Sequence, residues 1–211
     1  MATLSFEHPR VVKTRHGSSG WYGVVDLDDW GAGHWRPRLG AGIATDDPDQ
    51  FARDAELLTK VLDRGPALGQ MLVEGLWQEI TRGSDNYWWT GDLDQVNKSL
   101  EHSDIPPLRE AGDLYRVLDP SDILIEIDTH GDQYPVAWCN FGCDFEEEHG
   151  LSLLTDGDQL VGSGYAGDAT KYERFSAVSK AEIRAHHEAF WHAMDNDIKP
   201  LPTPPWLAEP S

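Results

Sequence analysis

Positive charge is scarce in this 211-residue chain. Seventeen Lys and Arg stand against 37 Asp and Glu, a formal net charge of −20. That shortage argues against DNA, RNA or an anionic membrane as a partner, since each calls for a positive surface. Cysteine is almost lacking as well, with only Cys139 and Cys143. On an extended strand these two, spaced CxxxC, share a face and lie too far apart to bond directly. Buried, reduced thiols are therefore expected, and without CxxC pairs there is no zinc framework. No stretch approaches the ~20 apolar residues of a membrane span, and no apolar leader follows Met1, so a cytoplasmic protein is expected. GxxxxGK[ST], HExxH and GxSxG are missing, and with them the usual signals of phosphate loops, zinc proteases and serine hydrolases.

What the chain does have is aromatic mass: nine Trp, six Tyr and six Phe. A chain of this length can bury roughly 70% of its unfolded surface and needs no staple. Trp21 to Leu27 alternates like a strand, and glycines and Pro37 then divide the chain up to Gly42 into turns or short strands. Asp47, Pro48 and Gln50 form a helix start with a capping-box partner, followed by Phe51, Ala55, Leu58 and Leu62 at helical spacing. Gly65 and Pro66 break that helix and open another carrying Leu68, Leu72, Leu76 and Ile80 on one face. Leu93, Val96 and Leu100 predict a short third helix, with Tyr87, Trp88 and Trp89 before it and a Pro106–Pro107 loop after it.

Ile123 to Ile127 and Val136 to Phe141 read as strands, and Leu151 to Leu154 with Leu160 and Val161 as a hairpin around Asp156-Gly157. Ser179 and Glu182 open a last helix bearing Ile183, Phe190, Trp191 and Met194. The expected fold is α+β: a mainly antiparallel sheet, a central helical hairpin and a C-terminal helix. Residues 1–199 are expected to form one domain, followed by a proline-rich tail over 200–211.

Gly162 to Gly167 spells GxGxxG, but the strand before it reads as half of a hairpin. The glycines are therefore expected in a loop, not at a nucleotide. His186, His187, Glu188 and His192 fall on the last helix, where solvated side chains are the simplest expectation. Tyr87, Trp88 and Trp89 suit a stacking platform, although three aromatics in a row cannot all point one way.

The sharpest feature is Asp144, Glu146, Glu147, Glu148, His149 and Gly150, set between two apolar strands. Burying such charge is costly unless it is paired or used. On an extended backbone Asp144, Glu146 and Glu148 share one face, and Phe145, Glu147 and His149 the other. Adjacent glutamates raise one another's pKa, and a protonated histidine lowers them. This suits a partner-binding surface, a general base, or a divalent-metal set of Asp144, Glu147 and His149, with Asp128 and His130 contributing from IDTHGD.

Trp21-x-Gly23-x-Val25, the DxPDQ helix start and the Cys143-Asp144-Phe145-Glu146-Glu147-Glu148-His149-Gly150-Leu151 segment together resemble an uncharacterised bacterial domain family. Its signature is a cysteine followed by W-D-x-E-H-G-L-G, and some of its members are similar to immunity-type proteins that neutralise toxins passed between bacteria. This chain departs from the signature in spacing, in Phe145, and in Ser152 where a second glycine is common. The resemblance spans Trp21 to Gly164 and implies no catalytic residues. The reading that follows is an acidic, cytoplasmic, immunity-like protein that engages a basic protein through Asp144, Glu146, Glu147, Glu148, His149 and His130. The alternative is a metal-dependent hydrolase or other enzyme centred on the same segment. No other cofactor is implied.

Overall fold

A computed structural model describes residues 4–17, 20–28, 30–82, 92–127, 135–167, 169–175, 178 and 180–202. Tyr87, Trp88, Trp89, Asp128, His130 and Ser179, and the tail from 203 onward, lie outside the described residues. Eight strands form one sheet in chain order: β1 (Val11–Gly17), β2 (Gly20–Asp26), β3 (Arg38–Ile43), β4 (Leu118–Ile127), β5 (Pro135–Cys143), β6 (Leu151–Thr155), β7 (Leu160–Tyr165) and β8 (Thr170–Lys171). Every neighbouring pair is antiparallel except β3 and β4. A parallel pair needs a long crossover. Among the described residues it carries four α-helices: α1 (Pro48–Asp63), α2 (Pro66–Arg82), α3 (Leu93–His102) and α4 (Leu114–Val117). A fifth, α5 (Lys180–Asp195), follows the sheet. The expected α+β class is what the chain adopts.

The helix starts follow their local chemistry. The Asp47 carboxylate accepts the Gln50 backbone N–H at 2.7 Å, and Pro48 occupies the first turn. The Gln50 side chain is tied elsewhere, donating to Asp54 at 2.6 Å and accepting from Arg53 at 2.6 Å. Gly65, at φ +53°, supplies the break before α2. Leu68, Leu72, Leu76 and Ile80 are fully buried, as their spacing requires. Asp92 caps α3 by accepting the Gln95 N–H at 2.8 Å.

Helices α1 and α2 lie on one face of the sheet, α1 against β3, β4 and β5 and α2 against β6 and β7. Ala137, Cys139, Phe141 and Cys143 of β5 point into this layer. Val136 and Trp138 point to the other face, where they pack with Leu154, Val161 and Ala169. Because residues alternate along a strand, one run serves two cores. Both cysteines are reduced and buried. Burial, followed by the charge of Asp122, pushes the Cys139 thiol up to about 12, so it is inert at neutral pH.

One expectation is corrected, and one strand is new. Strand β1 was not anticipated, because Val11 to Gly17 (VVKTRHG) lacks the alternation that marks a half-buried strand. Gly162 and Gly164 lie within β7, not in a loop. A Cβ at Gly162 would fall 2.3 Å from the Thr170 carbonyl oxygen, so the glycine serves the close approach of β8. The last helix forms where expected; on it Trp191 and Met194 are about half exposed, Phe190 is half-buried and Ala193 is buried.

Asp54 is buried on α1, and desolvation holds its carboxyl above the ordinary value despite Gln50 and Arg53. The folded state therefore binds this proton more tightly than the unfolded state does. Its contribution to stability is greatest in acid and declines as pH rises through the folded pKa. Asp54→Asn should stabilise the protein at pH 7 by about 1 kcal/mol, or roughly 2–4 °C in Tm, with the gain vanishing near pH 3. Melts of both proteins between these pH values check the sign; an equal gain at both ends would refute it.

Candidate functional site: the acidic turn between β5 and β6

Residues 144–150 link β5 to β6 as a compact turn, not as the extended segment expected. The Glu146 N–H donates to the Cys143 carbonyl at 3.0 Å, and the Gly150 N–H to the Glu146 carbonyl at 2.9 Å. Phe145 is buried against the helix layer and anchors the turn from within. The Asp144 N–H donates to the Val117 carbonyl at 3.0 Å, fastening the start of the turn to α4. With Phe145 turned in, Glu147, Glu148 and His149 are left in solvent, and Asp144 and Glu146 are half-buried.

The turn separates its ionisable groups into two sets. Glu146 Oε1 lies 2.9 Å from His149 Nδ1, a pair three residues apart that the extended expectation had placed on opposite faces. The His149 ring packs at 4.8 Å from that of Tyr165, at the end of β7. Burial, and next the Glu146 charge, hold the Tyr165 phenol above its usual value, so it remains a neutral hydrogen-bonding group.

The second set places like charge around Asp144. Burial first, then the charges of Glu147 and Asp119, raise its carboxyl above the normal aspartate range. Asp119, at the start of β4, receives Arg36 Nη2 on both oxygens at 3.0 and 2.9 Å. Arg36 Nε also donates to the Pro120 carbonyl at 2.9 Å. Sequence reasoning missed Asp119, Arg36 and Tyr165. Arg36 and Asp119 are 83 positions apart, and only the parallel β3–β4 pairing brings them together.

This geometry divides the expected metal set. His149 pairs with Glu146, while Asp144 feels Glu147 and Asp119. Among the described residues no three His, Cys, Asp or Glu side chains converge as a metal cage. On α5, His192 and Glu188 are exposed, and the His192 ring lies 3.3 Å from Asn196.

Ser152, itself buried, begins a part-buried polar ladder on the other sheet face. Its hydroxyl donates to Asn140 Oδ1, and Asn140 Nδ2 donates to Asp122 Oδ1 at 2.7 Å. These bonds tie β6, β5 and β4 together across the row Ser152, Asn140, Asp122. Ser152 thus has a structural use.

Comparison of the chain with protein-family models, curated proteins and solved structures finds no match.

Proposed function

We propose that this chain is an acidic binding protein that engages a basic protein through the rim formed by Asp119, Asp144, Glu146, Glu147, Glu148 and His149. The observation that carries this reading is the turn itself, which displays Glu147 and Glu148 in solvent beside the half-buried Asp144 and Glu146. Asp144 meets the like charges of Glu147 and Asp119 there, and a cationic partner would offset them. The wider charge distribution supports it. Residues 83–175 hold 20 of the 37 acidic residues and only five of the 17 basic ones. Such a field raises the encounter rate with a positive surface and disfavours nucleic acid. Among the described residues no helix is long and apolar enough to cross a membrane. A cytoplasmic, immunity-type role is part of the proposal and rests on the resemblance of Cys143 to Leu151.

The test is affinity capture from a bacterial lysate, followed by titration of the captured protein with wild type and with E146Q/E147Q/E148Q. Glutamine keeps the side-chain shape and removes the charge. The partner should be basic. Its affinity should fall at least about tenfold in the variant, and by a similar factor between roughly 50 and 500 mM salt. A captured partner indifferent to both changes would overturn the reading.

A further inference from the structure

An open cleft of about 400 Å³ lies where α2, the loop after Trp30 and α4 meet. Pro66, Val73, Ala111 and Tyr115 line it with apolar and aromatic surface, and Gln70 and Glu74 provide its polar side. Glu74 is its only charged lining residue. We infer that this cleft receives a lysine side chain of the basic partner, with the alkyl stem along Val73 and Pro66 and the ammonium at Glu74 beside the Tyr115 ring. The inference rests on the basic-partner reading above and gives it a specific anchor.

Three observations converge on that occupant. First, Glu74 keeps an uncompensated charge. It accepts Gln70 Nε2 at 2.8 Å and forms no ion pair among the described residues. The two nearby arginines are engaged elsewhere: Arg64 with Asp158 at 3.0 Å and the Gly157 carbonyl at 2.6 Å, and Arg174 with Glu79 at 3.2 Å. Second, the aromatic wall is built into the core. Tyr115 meets Trp35 edge-on at 5.0 Å, Trp35 meets Trp30 at 4.7 Å, and the Trp30 indole donates to the Arg36 carbonyl at 3.1 Å. A rigid aromatic beside a carboxylate is a standing site for an organic cation. Third, Gln70 already occupies Glu74 Oε1, which suits a monodentate ammonium better than the two-pronged guanidinium of arginine.

Two links tie the elements of the cleft to those of the acidic rim. Tyr115 and Val117 share α4, and Val117 holds the Asp144 N–H. Arg36 joins the Trp30 loop to Asp119.

The test is a titration of ¹⁵N-labelled full-length chain with Nα-acetyl-lysine methylamide, with the uncharged norleucine analogue as control, followed by amide NMR. Saturable shifts should centre on Val73, Ala111, Gly112 and Tyr115, with Kd on the order of millimolar for one isolated side chain. The norleucine analogue should give none. Glu74→Gln, a change at an exposed position, should weaken the lysine probe at least about fivefold, and Tyr115→Leu should weaken it while amide dispersion persists. Absence of saturation at these amides, or equal binding by Glu74→Gln, overturns the inference. If shifts appear only at residues 144–150 and vanish in E146Q/E147Q/E148Q, the cleft is wrong and the acidic-binder reading stands. Cleft binding that persists while the captured partner ignores the rim variant and salt leaves the cleft and removes the rim.

Discussion

Replacing Gly69 with alanine should cost about 3 kcal/mol or more, a large share of the roughly 5–15 kcal/mol that holds a typical domain folded. Helix propensity argues the other way, since alanine is favoured over glycine by about 1 kcal/mol in a helix interior. Packing decides the sign. A Cβ at Gly69 would sit 1.6 Å from the Trp30 carbonyl oxygen and 2.8 Å from its carbon. The obstacle is backbone, and it has nowhere to go. Trp30 is buried against Trp35 and Phe141, its indole is hydrogen-bonded to the Arg36 carbonyl, and Arg36 is fastened to Pro120 and Asp119. Either α2 leaves the sheet or the Trp30 loop leaves its core position. Gly112→Ala is the control, since a Cβ there meets nothing within 4 Å; it should be neutral within about 0.5 kcal/mol. Urea melts of the two variants provide the comparison, and a Gly69→Ala protein as stable as wild type would refute the packing argument.

Gly150→Ala should be nearly as severe, at about 2–4 kcal/mol. Gly150 has φ +68°, where an L side chain pays about 1–2 kcal/mol. A Cβ there would also lie 2.7 Å from the Phe141 carbonyl oxygen. Phe141 pairs with Leu151 in the β5–β6 ladder, so relief of the clash would disturb strand register as well as the turn. The rim carboxylates should lose their arrangement with it. His149→Ala, by contrast, removes an exposed pair of a kind worth no more than about 1 kcal/mol. The check is amide exchange across 141–151 with urea melts. Rapid exchange in Gly150→Ala alone is expected, whereas equal protection in both variants would count against it. Within Glu148-His149-Gly150 the glycine thus builds the turn, and the other two are displayed by it.

Much of the architecture could be read along the chain because it depends on near neighbours. The Asp47 cap, the Gly65 break, the Leu68-Leu72-Leu76-Ile80 stripe and the β6–β7 hairpin each need only a few consecutive residues to form. The two cysteines on one buried face follow from the alternation of a single strand. The candidate site was half legible. Its acidic residues stand out as charge beside apolar strands, yet their grouping was misjudged. An extended backbone separates Glu146 from His149, while a turn anchored by Phe145 joins them.

The sequence alone determined the α+β class, the helix starts at Asp47 and Pro66, the reduced thiols and the concentration of negative charge, because propensity, periodicity and composition act locally. Only the tertiary structure decided that Arg36 meets Asp119, that Tyr165 meets His149, and that Glu74 and Tyr115 share a cleft. It also decided that Gly69 and Gly162 are required where they stand. These contacts join residues far apart in the chain. Nothing in local propensity encodes them; they follow from the pairing of β3 with β4 and the seating of α2 against the Trp30 loop.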